Sequence, residues 1–177
     1  NEGMYRMYFC EGVPRGKKNK IEQFLGQFSN KYAVIGEIVS ATSVDGKTWR
    51  REKGGRVPCR YSEGEIWTVS PDVIKLSDST YRMYFQSRSA NELDVIRSAR
   101  SVDGLNWERD EGIRFSGEGA SYGSPKCIYI GGGKYRLYFH ENSPPFRFGR
   151  GFKNNIVHAK YTLVNNPPAI SQCDVLG

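Results

Sequence analysis

From Tyr81 to Phe85 the chain alternates strictly: Tyr81, Met83 and Phe85 fall on one face of an extended segment, Arg82 and Tyr84 on the other. The same alternation stands at Tyr5-Arg6-Met7-Tyr8-Phe9 and at Tyr135-Arg136-Leu137-Tyr138-Phe139. Each block predicts a β-strand. An apolar run precedes two of them, Val73-Ile74-Lys75-Leu76 and Cys127-Ile128-Tyr129-Ile130, after a Ser-Pro pair. Ser77-Asp78-Ser79 and Gly131-Gly132-Gly133 then have the length and residue types of hairpin turns. A third strand is predicted at Val95-Ile96-Arg97-Ser98-Ala99, with counterparts at Ile38-Val39-Ser40-Ala41 and Ile156-Val157-His158-Ala159. Ser43-Val44-Asp45-Gly46-Lys47-Thr48-Trp49 and Ser101-Val102-Asp103-Gly104-Leu105-Asn106-Trp107 predict a turn into a fourth, outer strand. There Asp-Gly supplies the positive φ and the carboxylate accepts the turn's own amides.

These elements recur at a nearly fixed spacing. Tyr81 and Tyr135 are 54 residues apart and Trp49 and Trp107 are 58 apart, whereas Tyr5 and Tyr81 are 76 apart. The first unit therefore carries an insertion between Phe9 and Ser43, where Val13-Pro14-Arg15-Gly16-Lys17-Lys18-Asn19-Lys20 marks an exposed loop. A four-stranded meander of this length cannot bury both faces alone, and radial stacking buries them. No segment keeps a helical apolar period. The expected fold is all-β: blades of four-stranded antiparallel meanders, about two and a half of them from a five-bladed propeller. The expected organisation is a single partial propeller domain over residues 1–177, with units of roughly 1–57, 58–112 and 113–177. Open propeller edges present unpaired backbone. A symmetric homodimer that completes the ring is therefore expected.

Composition narrows the partners. The formal net charge is +7, and Arg15, Lys17, Lys18 and Lys20 cluster in the inserted loop. No aromatic-interleaved basic stripe or nucleic-acid motif accompanies them, so nucleic acid is not the expected partner. No apolar run approaches a membrane span. Cys10, Cys59, Cys127 and Cys173 are scattered without C-x-x-C spacing, which predicts no metal site and no cofactor. Buried free thiols are the expectation.

Ser70-Pro71-Asp72-Val73-Ile74 leading to Tyr81-Arg82-Met83-Tyr84-Phe85, and then Ser98-Ala99-Arg100-Ser101-Val102-Asp103-Gly104-Leu105-Asn106-Trp107, resembles blades of five-bladed propeller glycoside hydrolases of families 43, 32 and 130. The resemblance spans most of residues 4–163. It implies a funnel on the ring axis, lined by acidic residues at the inner-strand heads, that cleaves O-glycosyl bonds. In such proteins one carboxylate commonly stands directly before the inner-strand Pro. Here that position is Ser70 in one unit and Ser124 in the next.

Loops between blades and loops joining second to third strands open on one face, placing 10–32, 58–69, 86–94, 111–123 and 140–154 at the mouth. Carboxylates there include Glu11, Glu65, Asp72, Glu118 and Glu141. Glycoside hydrolysis needs two carboxyl groups, one of them protonated. Asp72 and Glu65 are the first catalytic candidates because they flank the inner-strand head, and Glu141 is the third. Substrate-binding candidates are Trp67, Gln86, Arg88, Glu118 and His140, with Trp67 either a sugar-stacking platform or an interblade core residue. Arg6, Arg82 and Arg136, like Asp45 and Asp103, recur with the repeat and are assigned to architecture. The expected partner is an oligo- or polysaccharide, anionic if the basic loop together with Arg147 and Arg150 sets the potential at the mouth. The expected function is that of a glycosidase-like propeller acting on or binding a glycan. The alternatives are a non-catalytic carbohydrate-binding propeller and a protein-interaction propeller.

Overall fold

A computed structural model describes residues 3–13, 35–89 and 92–142, together with the backbone of 155–161. They form three antiparallel sheets that follow one another along the chain. The first contains β1 (Tyr5–Val13), β2 (Ile35–Ser43) and β3 (Arg50–Arg51). The second contains β4 (Glu65–Lys75), β5 (Tyr81–Ser89), β6 (Val95–Ser101) and β7 (Glu108–Arg109). The third contains β8 (Ser121–Gly131), β9 (Lys134–Asn142) and β10 (Asn155–Tyr161). A single 3-10 turn, Tyr61–Glu63, precedes β4. Three, four and three strands make two and a half blades' worth of propeller.

The sheets share one register. Tyr5 pairs with Ser43 as Tyr81 pairs with Ser101, and Val73 pairs with Met83 as Cys127 pairs with Leu137. Alternation then sends one face of each sheet to each neighbour. Between the first and second sheets lie Ile38, Val57, Met83, Phe85 and Ala99, with Tyr8, Val73 and Trp107 packed against them. Between the second and third lie Tyr84, Ile96, Tyr122, Cys127, Leu137 and Phe139, with Ile74, Leu76 and Phe115 alongside.

The Asp-Gly turns are built as their sequence requires, and they also join sheets. The Asp103 carboxylate accepts the amides of Leu105 and Asn106, each at 2.8 Å, and its pKa is held well below the carboxylate range. Asp45 accepts the amides of Lys47 and Thr48 and is held at about 2. Gly104 has a φ of 72° and lies so close to Tyr8 and Arg6 of the first sheet that a Cβ would collide with both. This approach lets Tyr8 donate to the Gly104 carbonyl at 2.7 Å and Arg6 to the Asp103 carbonyl at 3.0 Å. Trp107 meets the Tyr8 ring edge-on across the same seam. Arg6 also pairs with Glu52, and Arg82 in the next sheet pairs with Asp110, so these recurring arginines are structural. Arg136 in the third sheet donates to the Tyr138 hydroxyl at 3.4 Å.

Two expectations need correction. The inner strands do not start after Ser-Pro. They start five and three residues before those serines, at Glu65 and Ser121, and run through a bulge. Ser70 (φ 54°) and Ser124 (φ 50°) take the left-handed conformation there, which lets the strand kink at the proline and continue. Glu65 and Trp67 consequently sit on a strand instead of a loop, and so do Gln86, Arg88, His140 and Glu141, because β5 and β9 run on past their repeated blocks. Secondly, Cys10 is an exposed free thiol, although Cys59 and Cys127 are buried and free as expected. It lies toward the open end of the seam with the second sheet, where its sulfur accepts the Ser70 amide. The basic inserted loop, Arg147, Arg150 and Cys173 fall outside the described residues. Among the described residues no helix is long and apolar enough to cross a membrane, and no cluster of potential metal ligands occurs.

Candidate functional site

Across the seam between the second and third sheets, Gln86 at the far end of β5 reaches the head of β8. The Ser124 amide donates to its Oε1 at 3.3 Å. His140 of β9 stands directly across from Gly123 of β8. A Cβ on Gly123 would lie 2.3 Å from Gln86 Oε1 and 2.9 Å from His140 Nε2, so both polar tips converge over that glycine. Glycine is what permits the approach. Ser124, next in the chain, is exposed, while Pro125 behind it is fully buried and anchors the kink. The result is an amide, an imidazole and a hydroxyl gathered at one inner-strand head. Those groups can donate to and accept from the hydroxyls of a neutral polar ligand.

The neighbouring seam repeats the device with one change. Cys10 occupies on β1 the position of Gln86 on β5, and its sulfur accepts the Ser70 amide at 2.9 Å. Both left-handed serines are thus held by the preceding sheet. A non-glycine residue at positive φ is costly, and such strain gathers at binding and catalytic positions.

Further along the mouth, the Trp67 indole donates to Asp94 Oδ1 at 3.1 Å. The Arg88 guanidinium lies 5.2 Å from the centre of the Trp67 ring and covers one of its faces. The ring as a whole is half-buried. Tyr122 pairs across from Glu141 and hydrogen-bonds it, and burial together with that carboxylate pushes the phenol's pKa up. Glu118 is exposed in the turn closed by the Gly117–Ala120 bridge.

Two expected catalytic carboxylates are held in ion pairs. The Glu65 side chain is only 6% exposed and takes two hydrogen bonds from Arg109, at 2.8 and 2.7 Å. It also accepts the Arg60 amide and the Ser87 hydroxyl. Burial works against its charged form, but these donors outweigh it and hold the carboxyl at about 2. Asp72 lies past the bulge, toward the hairpin end of β4. It accepts Lys126 Nζ at 2.8 Å and the Cys127 amide at 2.7 Å, tying one inner strand to the next. It lines a cleft of about 600 Å³ with Arg6, Tyr8, Lys75, Tyr81 and Lys126, at the end opposite the mouth. Glu11 is engaged by Arg51. The structure therefore places Gln86, His140, Trp67, Arg88 and Glu141 along one end of the sheets, with Glu65 buried at the same strand head in its pair with Arg109, and sets Asp72 toward the other end. Sequence reading did not single out Gly123, Tyr122 or Asp94. An isolated glycine within a strand was the available signal for the first.

No family model matches the chain, and no curated protein matches it. Solved structures do. A family 32 β-fructofuranosidase from Bombyx mori superposes with a TM-score of 0.63 at 16% identity, over 90% of this chain and 32% of its own. A mutant of that enzyme in complex with sucrose gives 0.62 at 17% identity, over 90% and 32%. A glycosyl hydrolase from Bacteroides ovatus gives 0.58 at 17% identity, over 90% and 43%. The chain thus has the fold of the propeller glycoside hydrolases, as two and a half blades of a five-bladed ring. It spans about a third to under half the length of these structures.

Proposed function

We propose that this chain is the glycan-binding part of a glycosidase-like propeller, with its sugar contacts in the seam between the second and third sheets. The observation that carries this reading is the convergence of Gln86 and His140 over Gly123, beside the exposed Ser124 hydroxyl. Amide, imidazole and hydroxyl groups at a strained strand head suit a ligand made of hydroxyls, and the half-buried Trp67 ring stands along the same rim. The fold neighbours include an enzyme whose mutant was solved with sucrose, which supports a carbohydrate ligand for the shared scaffold.

Binding is favoured over hydrolysis by what the carboxylates do. Glu65 is neutralised by Arg109 and buried, and Asp72 is consumed in joining inner strands. Both inner-strand heads carry serine in place of an acid. Hydrolysis is the second reading. It would draw on Glu141, whose hydrogen bond to Tyr122 places a carboxylate beside the seam, with Glu118 on the adjoining turn.

A glycan array carrying neutral and anionic oligosaccharides, run with chromogenic glycosides, tests both readings. Binding without turnover is the expected result. Turnover abolished by Glu141→Gln would establish the second reading instead. No binding and no turnover would remove the glycan altogether and leave a protein-interaction propeller.

A further inference from the structure

Arg97 breaks the repeat at a position that the other two units keep apolar. It pairs with Phe85, as Val39 pairs with Phe9 and Val157 with Phe139. Val39 is wholly buried, so valine serves the architecture there. A residue directly opposite Phe85 shares its face, and that face packs toward the first sheet. Among the described residues the Arg97 Nε is buried without a hydrogen-bond partner, while Nη1 donates to the carbonyl of the exposed Gly112 at 3.2 Å. None of the ion pairs among the described residues includes it. Two more arginines stand nearby. The Arg109 guanidinium, 5.2 Å from the centre of the Phe85 ring, is spent on Glu65. Arg60 gives its amide to that same carboxylate and turns an exposed guanidinium toward Glu63 at 3.4 Å. Burial pushes the Arg97 pKa down, Arg109 and Arg60 add to the push by repulsion, and Glu65 and Glu92 do not offset it.

We propose that Arg97, with Arg60 beside it, binds an oxyanion of the sulfate or phosphate type on the flank of the second sheet that faces the first. A guanidinium holds its N–H donors in a planar fork that matches the paired oxygens of such a group. A half-buried charge without a partner is costly, and a bound oxyanion supplies the counter-charge that Glu65, engaged by Arg109, does not. The departure from valine is what sets Arg97 apart from the recurring arginines, whose partners recur with them. The site is also separate from the glycan seam. Gln86 reaches the third sheet, whereas Arg97 lies on the opposite face of the same sheet, with Phe85. A free ion and an ester group on a larger molecule present the same chemistry here, and titration separates them.

Isothermal titration of the full 177-residue chain at constant ionic strength should show saturable binding of inorganic sulfate or phosphate, or of galactose 6-sulfate. Unsulfated galactose isolates the share owed to the sulfate. Tighter binding of the ester than of the free ion identifies a group carried on a larger molecule, and the reverse order identifies a free ion. Arg97→Val installs the residue of both counterpart positions, so it should keep the fold by far-UV circular dichroism and weaken sulfate binding about tenfold or more. Arg60→Ala, at an exposed position, should weaken it several-fold. Gly123→Ala should leave it unchanged, so that failure of the glycan seam and failure of this site are told apart. The proposal is overturned if no oxyanion binds saturably to the wild-type chain, or if Arg97→Val binds as the wild type does. Should Arg97→Val not fold, unchanged binding in Arg60→Ala would overturn it in the same way.

Discussion

The Arg109 guanidinium donates to both oxygens of the Glu65 carboxylate, joining the outermost strand of the second sheet to the head of its innermost one. Both side chains are at most 10% exposed, so neither charge has water to fall back on. Removing one partner strands the other in a low-dielectric site. Glu65→Gln should therefore destabilise the chain by about 3 kcal/mol, measured by urea unfolding at pH 7.

The same pair predicts an acid dependence. The Glu65 pKa is about 2 in the folded chain, against roughly 4.3 for an unfolded glutamate. Its stabilising contribution is complete above the unfolded value and is lost as pH falls from there through about 2. The stability gap between wild type and Glu65→Gln should hold constant from pH 7 to 5 and narrow below pH 4. A gap that does not change across that range would show that the carboxylate is not held by its partners.

The two Asp-Gly turns separate local from interblade stabilisation. Asp45 and Asp103 accept the same pattern of turn amides, but only the Asp103 turn also receives Arg6 and Tyr8 from a neighbouring described sheet. Asp103→Asn should lower the melting temperature more than Asp45→Asn in parallel calorimetry. Equal losses would mean that the turn carbonyls add nothing across the seam.

Thiol labelling distinguishes the described cysteines. Burial pushes Cys59 and Cys127 up to about 12, so they are protonated as well as covered. Cys10 is exposed. Brief iodoacetamide treatment of the native chain, mapped by mass spectrometry, should modify Cys10 and spare Cys59 and Cys127 until denaturant is added.

The fold was legible because its determinants are local and repeated. Alternation in the Tyr-Arg-x-Tyr-Phe blocks sets the faces, and the Asp-Gly turns set the connections. The inner strands were read too short because Ser-Pro looks like a strand start. Only the backbone shows that Ser70 and Ser124 turn left-handed and let the strand run on. The carboxylates were the least legible. Glu65 stands 44 residues from Arg109, and Asp72 stands 55 from the amide it accepts, so neither commitment leaves a trace in local sequence. Gln86 and His140 each directly follow a repeated strand block and were both legible as binding candidates, though not as neighbours. What sequence did not give was the glycine between them.

That glycine offers the sharpest separation of site from fold. A Cβ at Gly123 would meet the tips of Gln86 and His140 and no backbone atom among its nearest neighbours. Flexible side-chain ends can swing aside at small cost, whereas a backbone clash would unfold the strand. Gly123→Ala should accordingly keep the wild-type melting temperature to within a few degrees while pushing the amide and imidazole apart. Glycan affinity should fall about five- to thirtyfold, the equivalent of one or two polar contacts at roughly 1 kcal/mol each. Gln86→Ala and His140→Ala should each weaken binding by several-fold, and adding either to Gly123→Ala should cost little more, because the constellation is already broken. Isothermal titration with an array-identified oligosaccharide provides the measurement. Full affinity in Gly123→Ala would place the sugar somewhere other than this seam.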